Sequence, residues 1–158
     1  MDRRSFVEVR LVMRLLMAAF YLAAGVVHLA APDAFLPVVP AWVPYAREVV
    51  LLTGVCELAG ALALLTQRLR QAAGIMLALY AVCVFPANIK HALEGVLVAA
   101  LPSTWWYHGP RLAAQPVLVW WALFCSRVID WPFRPRNVTD AAIPRAVPDP
   151  APRVHRPQ

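Results

Sequence analysis

Four polar side chains lie within otherwise apolar stretches of this 158-residue sequence: His28, Glu57, Asn88 and Gln115. An imidazole and a carboxyl group change charge when their surroundings shift their proton affinity, so His28 and Glu57 suit proton exchange with a small redox-active or weakly acidic molecule. Asn88 and Gln115 donate and accept hydrogen bonds without titrating, which suits the orientation of a polar headgroup. Lys90, His91 and Arg111 are expected at the rim of this set, where Lys90 and Glu94 have the i,i+4 spacing of a helical ion pair.

What must position these groups follows from composition. The chain is 61% hydrophobic and 15% charged, with a mean hydropathy of +0.58, against roughly 45–50% and about 25% in soluble domains. Four stretches, near residues 11–31, 49–66, 71–92 and 112–130, are each apolar over about the length needed to cross a bilayer. The expected fold class is therefore all-α: an integral membrane four-helix bundle over residues 1–131, with a disordered Pro/Arg-rich tail over 132–158. An ionisable group at the centre of a span costs about 2.5–3.5 kcal/mol, so each one calls for a partner inside the bundle.

Each of the first two spans carries its titratable group on a face of small residues. Ala24, Gly25 and Ala31 flank His28, while Gly54, Gly60 and Ala61 flank Glu57, and such faces let a second helix approach closely. At about 1.5 Å per residue, His28 lies about 5 Å and Glu57 about 12 Å from the outer end, so direct pairing needs a tilt or suitable rotamers. Gly25-Val26-Val27-His28 and Gly54-Val55-Cys56-Glu57 echo one another, as helix packing or as an internal repeat. In the third span Pro86 removes the hydrogen bond to the carbonyl of Val82, which Asn88 or a neighbouring helix must replace. Pro116 is expected near the first turn of the fourth span, where its missing N–H matters little.

Arginine placement sets the orientation. Arg3, Arg4, Arg10, Arg14, Arg68, Arg70, Arg127, Arg134 and Arg136 fall on one side, and Arg47, Lys90 and Arg111 on the other. The positive-inside bias then puts both termini in the cytoplasm of a bacterial inner membrane. Trp42, Tyr45, Trp105, Trp106 and Tyr107 would mark the outer boundary, and Trp131 and Phe133 the inner one. Arg3, Arg4 and Arg10 ahead of an apolar run also resemble a secretory signal, but the run from Leu15 to Ala31 exceeds the usual 7–15 residues, roughly, and reads as a retained anchor. The outer connection from Ala31 to Arg47 holds Pro32, Pro37, Pro40 and Pro44, too many for a regular helix, and should lie on the outer leaflet or fold over the bundle mouth. The apolar Val96–Leu101 run in the second outer connection suggests the same.

Several chemistries are excluded or disfavoured. The net charge of +6 is not arranged as a basic stripe interleaved with aromatics, so nucleic acid is not expected as a partner. Cys56, Cys83 and Cys125 form no CxxC pair and have no zinc-type histidine spacing, so no metal site is expected and the thiols read as small buried hydrophobes. No residue pattern would hold a haem, a nucleotide or a covalently bound cofactor.

In sequence order, Gly25 with His28 before Pro32, Pro40-Ala41-Trp42-Val43-Pro44, Gly54-Val55-Cys56-Glu57 before Leu64-Leu65, Phe85-Pro86-Ala87-Asn88-Ile89, and Arg111-Leu112 leading to Gln115-Pro116 and Trp120-Trp121 resemble the DoxX-like family of small bacterial membrane proteins. The resemblance implies a four-span bundle that serves as an accessory subunit of a redox or stress-response assembly, with no agreed catalytic residues to carry over. The expected ligand is a quinone held by His28, Glu57, Asn88 and Gln115, and the expected partners are the bilayer and a membrane or soluble redox protein. A homo-oligomer is compatible with this reading. Two other functions fit the same residues: a non-enzymatic scaffold whose polar groups lock the helices, and a carrier of a small solute, which would need dimerisation.

Overall fold

The computed structural model describes residues 3–94 and 104–132. The Val96–Leu101 run and the tail from Phe133 onward, both singled out above, lie outside the described residues. Within them the chain is all-helical: α1 (Arg3–Ala30), a 3-10 helix η1 (Pro32–Val38), α2 (Ala46–Leu65), α3 (Arg70–Glu94) and α4 (Trp105–Cys125), with no strand among the described residues. α1 packs chiefly on α2 and α3 on α4, while α2–α3 and α1–α4 contacts close the arrangement.

Three helices are long and apolar enough to cross a membrane: α1, α2 and α3. Only 28% of the apolar window of each is buried inside the chain, so most of that surface points outward, as with Leu16, Val26, Leu52, Leu62, Met76 and Val82. A soluble monomer rarely exposes so much contiguous apolar area. α4 is not among the three. Its His108, Arg111, Gln115, Pro110 and Pro116 dilute its apolar character, and its most polar members turn inward, with His108 and Gln115 buried.

The buried face of each helix follows the 3.6-residue period. In α1 it runs Phe6, Arg10, Arg14, Met17, Tyr21, and in α2 Val50, Gly54, Glu57, Ala61, Leu64. Met17, Tyr21, Ala61, Leu64, Leu77, Ala122 and Cys125 form the central cluster. Glycines set the closest approaches. A Cβ on Gly25 would stand 2.8 Å from the Gly54 carbonyl oxygen, and one on Gly54 would stand 3.0 Å from the His28 Cβ. The two echoing Gly-x-x-polar segments therefore meet across the α1–α2 crossing, and helix packing accounts for the pattern. Gly74 likewise lets α3 press against Ser126 and the Ala122 carbonyl of α4.

Several sequence expectations shift. α4 starts at Trp105 and ends at Cys125, against the expected 112–130. Pro110 and Pro116 both lie inside it, so Pro116 is not in the first turn; the fixed φ of proline suits a helix once the lost hydrogen bond is tolerated. The end comes early because Arg127 adopts a left-handed conformation (φ 69°). Val128 N–H then donates to Leu123 O (2.9 Å) and Arg127 N–H to Phe124 O (3.2 Å), the double closure of a Schellman cap. α3 continues through Pro86 to Glu94. Cys56 and Cys83 are exposed and only Cys125 is buried; Cys83 lines a cavity between the helices.

Candidate functional site

The polar residues singled out in the sequence gather at the end of the molecule where α1 finishes, α2 and α4 begin and α3 closes. Glu57 is 3% exposed and is reached from two helices. His28 Nδ1 lies 2.7 Å from Glu57 Oε2, and the Tyr80 hydroxyl donates to Glu57 Oε1 at 2.7 Å. The difference in depth between His28 and Glu57 is bridged without water, because the glycine crossing brings the two backbones together. Nδ1 also faces the Ala24 carbonyl at 3.0 Å, which can only accept. We therefore assign the proton to Nδ1, leaving Nε2 for another partner.

A second group faces the first. Arg111 Nη2 donates to Asn88 Oδ1 (2.6 Å), Asn88 Nδ2 to Gln115 Oε1 (3.1 Å), and Gln115 Nε2 to the Ala81 carbonyl (2.6 Å). Each amide in this relay accepts on one side and donates on the other. Gln115 of α4 therefore donates to the carbonyl one residue before that of Val82, the acceptor whose helical donor Pro86 removes. Arg111 Nη1 also meets His91 Nδ1 at 2.6 Å, which fixes that nitrogen as an acceptor, and the guanidinium lies 5.7 Å from the Tyr107 ring centroid.

Both groups line one cavity of about 800 Å³. Its remaining walls are largely apolar, from Phe20, Tyr21, Val38, Val50, Val84 and Leu118. The proline-rich connection folds over the mouth. The Phe35 ring of η1 lies 4.3 Å from the His28 ring, tilted by 35°, and Lys90 Nζ donates to the Val39 carbonyl at 2.7 Å. Lys90 thus secures the cover and also forms the expected i,i+4 ion pair with Glu94, at 3.9 Å. Arg47 and Asp33 add a hydrogen-bonded ion pair of 3.1 Å at the outside.

All four predicted site residues line the cavity, as does Arg111 of the expected rim; Lys90 and His91 support it from behind. Tyr80 was missed. It lies two turns before Asn88 on α3, and a tyrosine hydroxyl in an apolar span needs a partner, so its spacing carried the signal. His108 was missed too: it is buried, and its ring lies 4.7 Å from that of His91. No group of three metal-ligating side chains occurs among the described residues.

Residues 17–126 match a family described as a domain of unknown function, DUF8561. The chain belongs to that family. The matched stretch contains every residue of the cavity described above. No curated protein and no solved structure matches the chain.

Proposed function

We propose that this DUF8561 protein is an integral inner-membrane subunit, akin to the DoxX-like proteins, that holds the headgroup of a quinone-like molecule in the outer half of a four-helix bundle. The observation that carries the reading is the cavity, in which an imidazole–carboxyl–phenol group and a guanidinium–amide relay occupy otherwise apolar walls. Apolar pockets with a few convergent polar groups are the usual form of small-molecule sites. A quinone would supply two carbonyl oxygens joined by a flat apolar ring. Asn88 and Arg111 offer N–H donors for the carbonyl oxygens of the quinone, while His28 Nε2 and the Tyr80 hydroxyl oxygen, both oriented by Glu57, offer acceptors for the hydroxyls of the reduced form. In this reading α4, about 30 Å long, is a fourth span whose polar face is shielded by its neighbours, and both termini are cytoplasmic.

Mild purification followed by lipid extraction tests the proposal. A stoichiometric quinone in the parent protein, lost in Glu57→Gln and His28→Ala, is the expected result. Its absence from the parent, or equal amounts in both variants, defeats the reading. One observation favours a second reading, a scaffold without a ligand: both Glu57 oxygens already have donors within the chain. On that view Glu57→Gln lowers thermal stability while the extracted lipids stay the same.

A further inference from the structure

The opposite end of the molecule gathers positive charge that the described residues do not neutralise in full. Arg10 and Arg14 occupy successive turns of the buried face of α1, 6% and 8% exposed. Arg10 is provided for: it meets Asp130 at 2.6 Å and the Ile129 carbonyl at 2.7 Å, and lies 4.6 Å from each of the Phe6 and Phe124 ring centroids. Arg14 has no hydrogen bond or ion pair with any described residue, and the like charges of Arg70, Arg127 and Arg10 act on it. Among the described residues the carboxylates at this end are committed elsewhere, Asp130 to Arg10 and Glu8 to Arg4.

Arg70 and Arg127 line a cavity of about 240 Å³ with Gln67, Gln71 and Ser126. Arg70 Nε is buried in the chain without an acceptor. Arg127 occupies the left-handed position of the Schellman cap, where glycine is the residue without a steric penalty. A guanidinium placed there against backbone preference, a second with a buried donor unused, and a third whose stem is buried behind them with no carboxylate partner among the described residues bring three like charges to one end of the molecule. Together they gather the donors that an oxyanion accepts from. The first-turn N–H groups of α3, which begins at Arg70, add to the positive field.

The geometry points to a phosphate-type oxyanion site at this end, formed by Arg70, Arg127, Gln67 and Gln71 and reinforced from behind by Arg14. Guanidinium groups bind such oxyanions in a paired, directional way, and a water takes about 30 Å³, so the cavity has room for a tetrahedral anion with accompanying waters. Its source is an anionic lipid headgroup or a free oxyanion. Basic pockets between helices on the cytoplasmic side of a membrane commonly hold the former.

The test uses the full chain in neutral detergent, with thermal unfolding and native mass spectrometry read after addition of phosphatidylglycerol, phosphatidylcholine or inorganic phosphate. Stabilisation by phosphatidylglycerol alone supports the site and assigns it to a lipid. Stabilisation by phosphatidylglycerol and phosphate, or by phosphate alone, supports it as an oxyanion site open to soluble ligands. Equal responses to phosphatidylglycerol and phosphatidylcholine with none to phosphate, or no response to any, overturn it. Arg127→Gly keeps the cap and should fold at least as well as the parent while binding the anion at least tenfold more weakly, as should Arg70→Gln. Retained affinity in both variants also overturns the proposal.

Discussion

The two ends of the bundle treat buried charge in opposite ways. At the cavity end the charged groups find partners in the chain: Glu57 receives two donors, Arg111 gives to Asn88 and His91, and Lys90 holds the Val39 carbonyl; the buried His108 ring, with neither nitrogen hydrogen-bonded to a described residue, is the exception there. At the other end Arg14, Arg70 and Arg127 act on one another as like charges and share no carboxylate among the described residues. The first arrangement stabilises the fold on its own, since each partner answers the desolvation of the other. The second burdens the fold until something negative arrives. Deleting a charge should therefore have opposite signs at the two ends.

The largest effect is expected for Glu57→Ala. It strands the Tyr80 hydroxyl, leaves the His28 Nδ1–H with the Ala24 carbonyl alone, and should destabilise the protein by about 3–5 kcal/mol, the range for breaking a buried pair, read as a lowered unfolding midpoint in detergent. The double variant His28→Ala/Glu57→Ala should lose less than the sum of the singles; additivity would show that the pair is not coupled. Next comes Gln115→Leu, which exposes the Ala81 carbonyl and one Asn88 donor to an apolar wall, at about 1–3 kcal/mol in the same assay.

Arg14→Leu inverts the sign. In a neutral, anion-free detergent it should raise stability, on the order of 1 kcal/mol, by removing an unpaired cation from among like charges while keeping an apolar stem. A lowered midpoint there would erase the contrast between the two ends. Lys90→Met should cost about 1 kcal/mol, the net worth of one hydrogen bond, and should speed proteolysis within residues 32–45 as the cover loosens. Smallest of all is Arg4→Ala: its pair with Glu8 lies in the open, with side chains 90% and 63% exposed, and should change the midpoint by less than about 0.5 kcal/mol.

Much of the helix plan could be read directly, because apolar runs long enough to cross a bilayer are a property of the chain alone. α1, α2 and α3 fall where those runs predict, within a few residues at most boundaries except the start of α1, which extends back to Arg3. α4 was misplaced at both ends. Proline was taken as a boundary although Pro110 and Pro116 are accommodated inside the helix, and the stop at Arg127 depends on a backbone conformation that its residue type does not announce. In the site, His28, Glu57, Asn88 and Gln115 stood out because polar groups in apolar runs are conspicuous. Tyr80 did not, since a tyrosine passes for an ordinary aromatic until its hydroxyl is seen on Glu57. The cysteines show the converse: Cys56 and Cys83 occupy apolar runs yet are exposed, Cys83 along the cavity.

By itself the sequence determined that the chain would be helical, that long apolar segments suited to lipid recur along it, four as read there and three as helices of sufficient length and apolarity, and that a few polar groups would need shelter; hydrophobicity and charge are local quantities carried by each residue. Only the tertiary structure decided which shelter each one received. Helix rotation and the glycine crossings bring His28 onto Glu57, set Gln115 against Ala81, and leave Arg14 among other cations. Whether a buried charge is satisfied depends on atoms from other helices within about 3 Å, and that distance is fixed by packing.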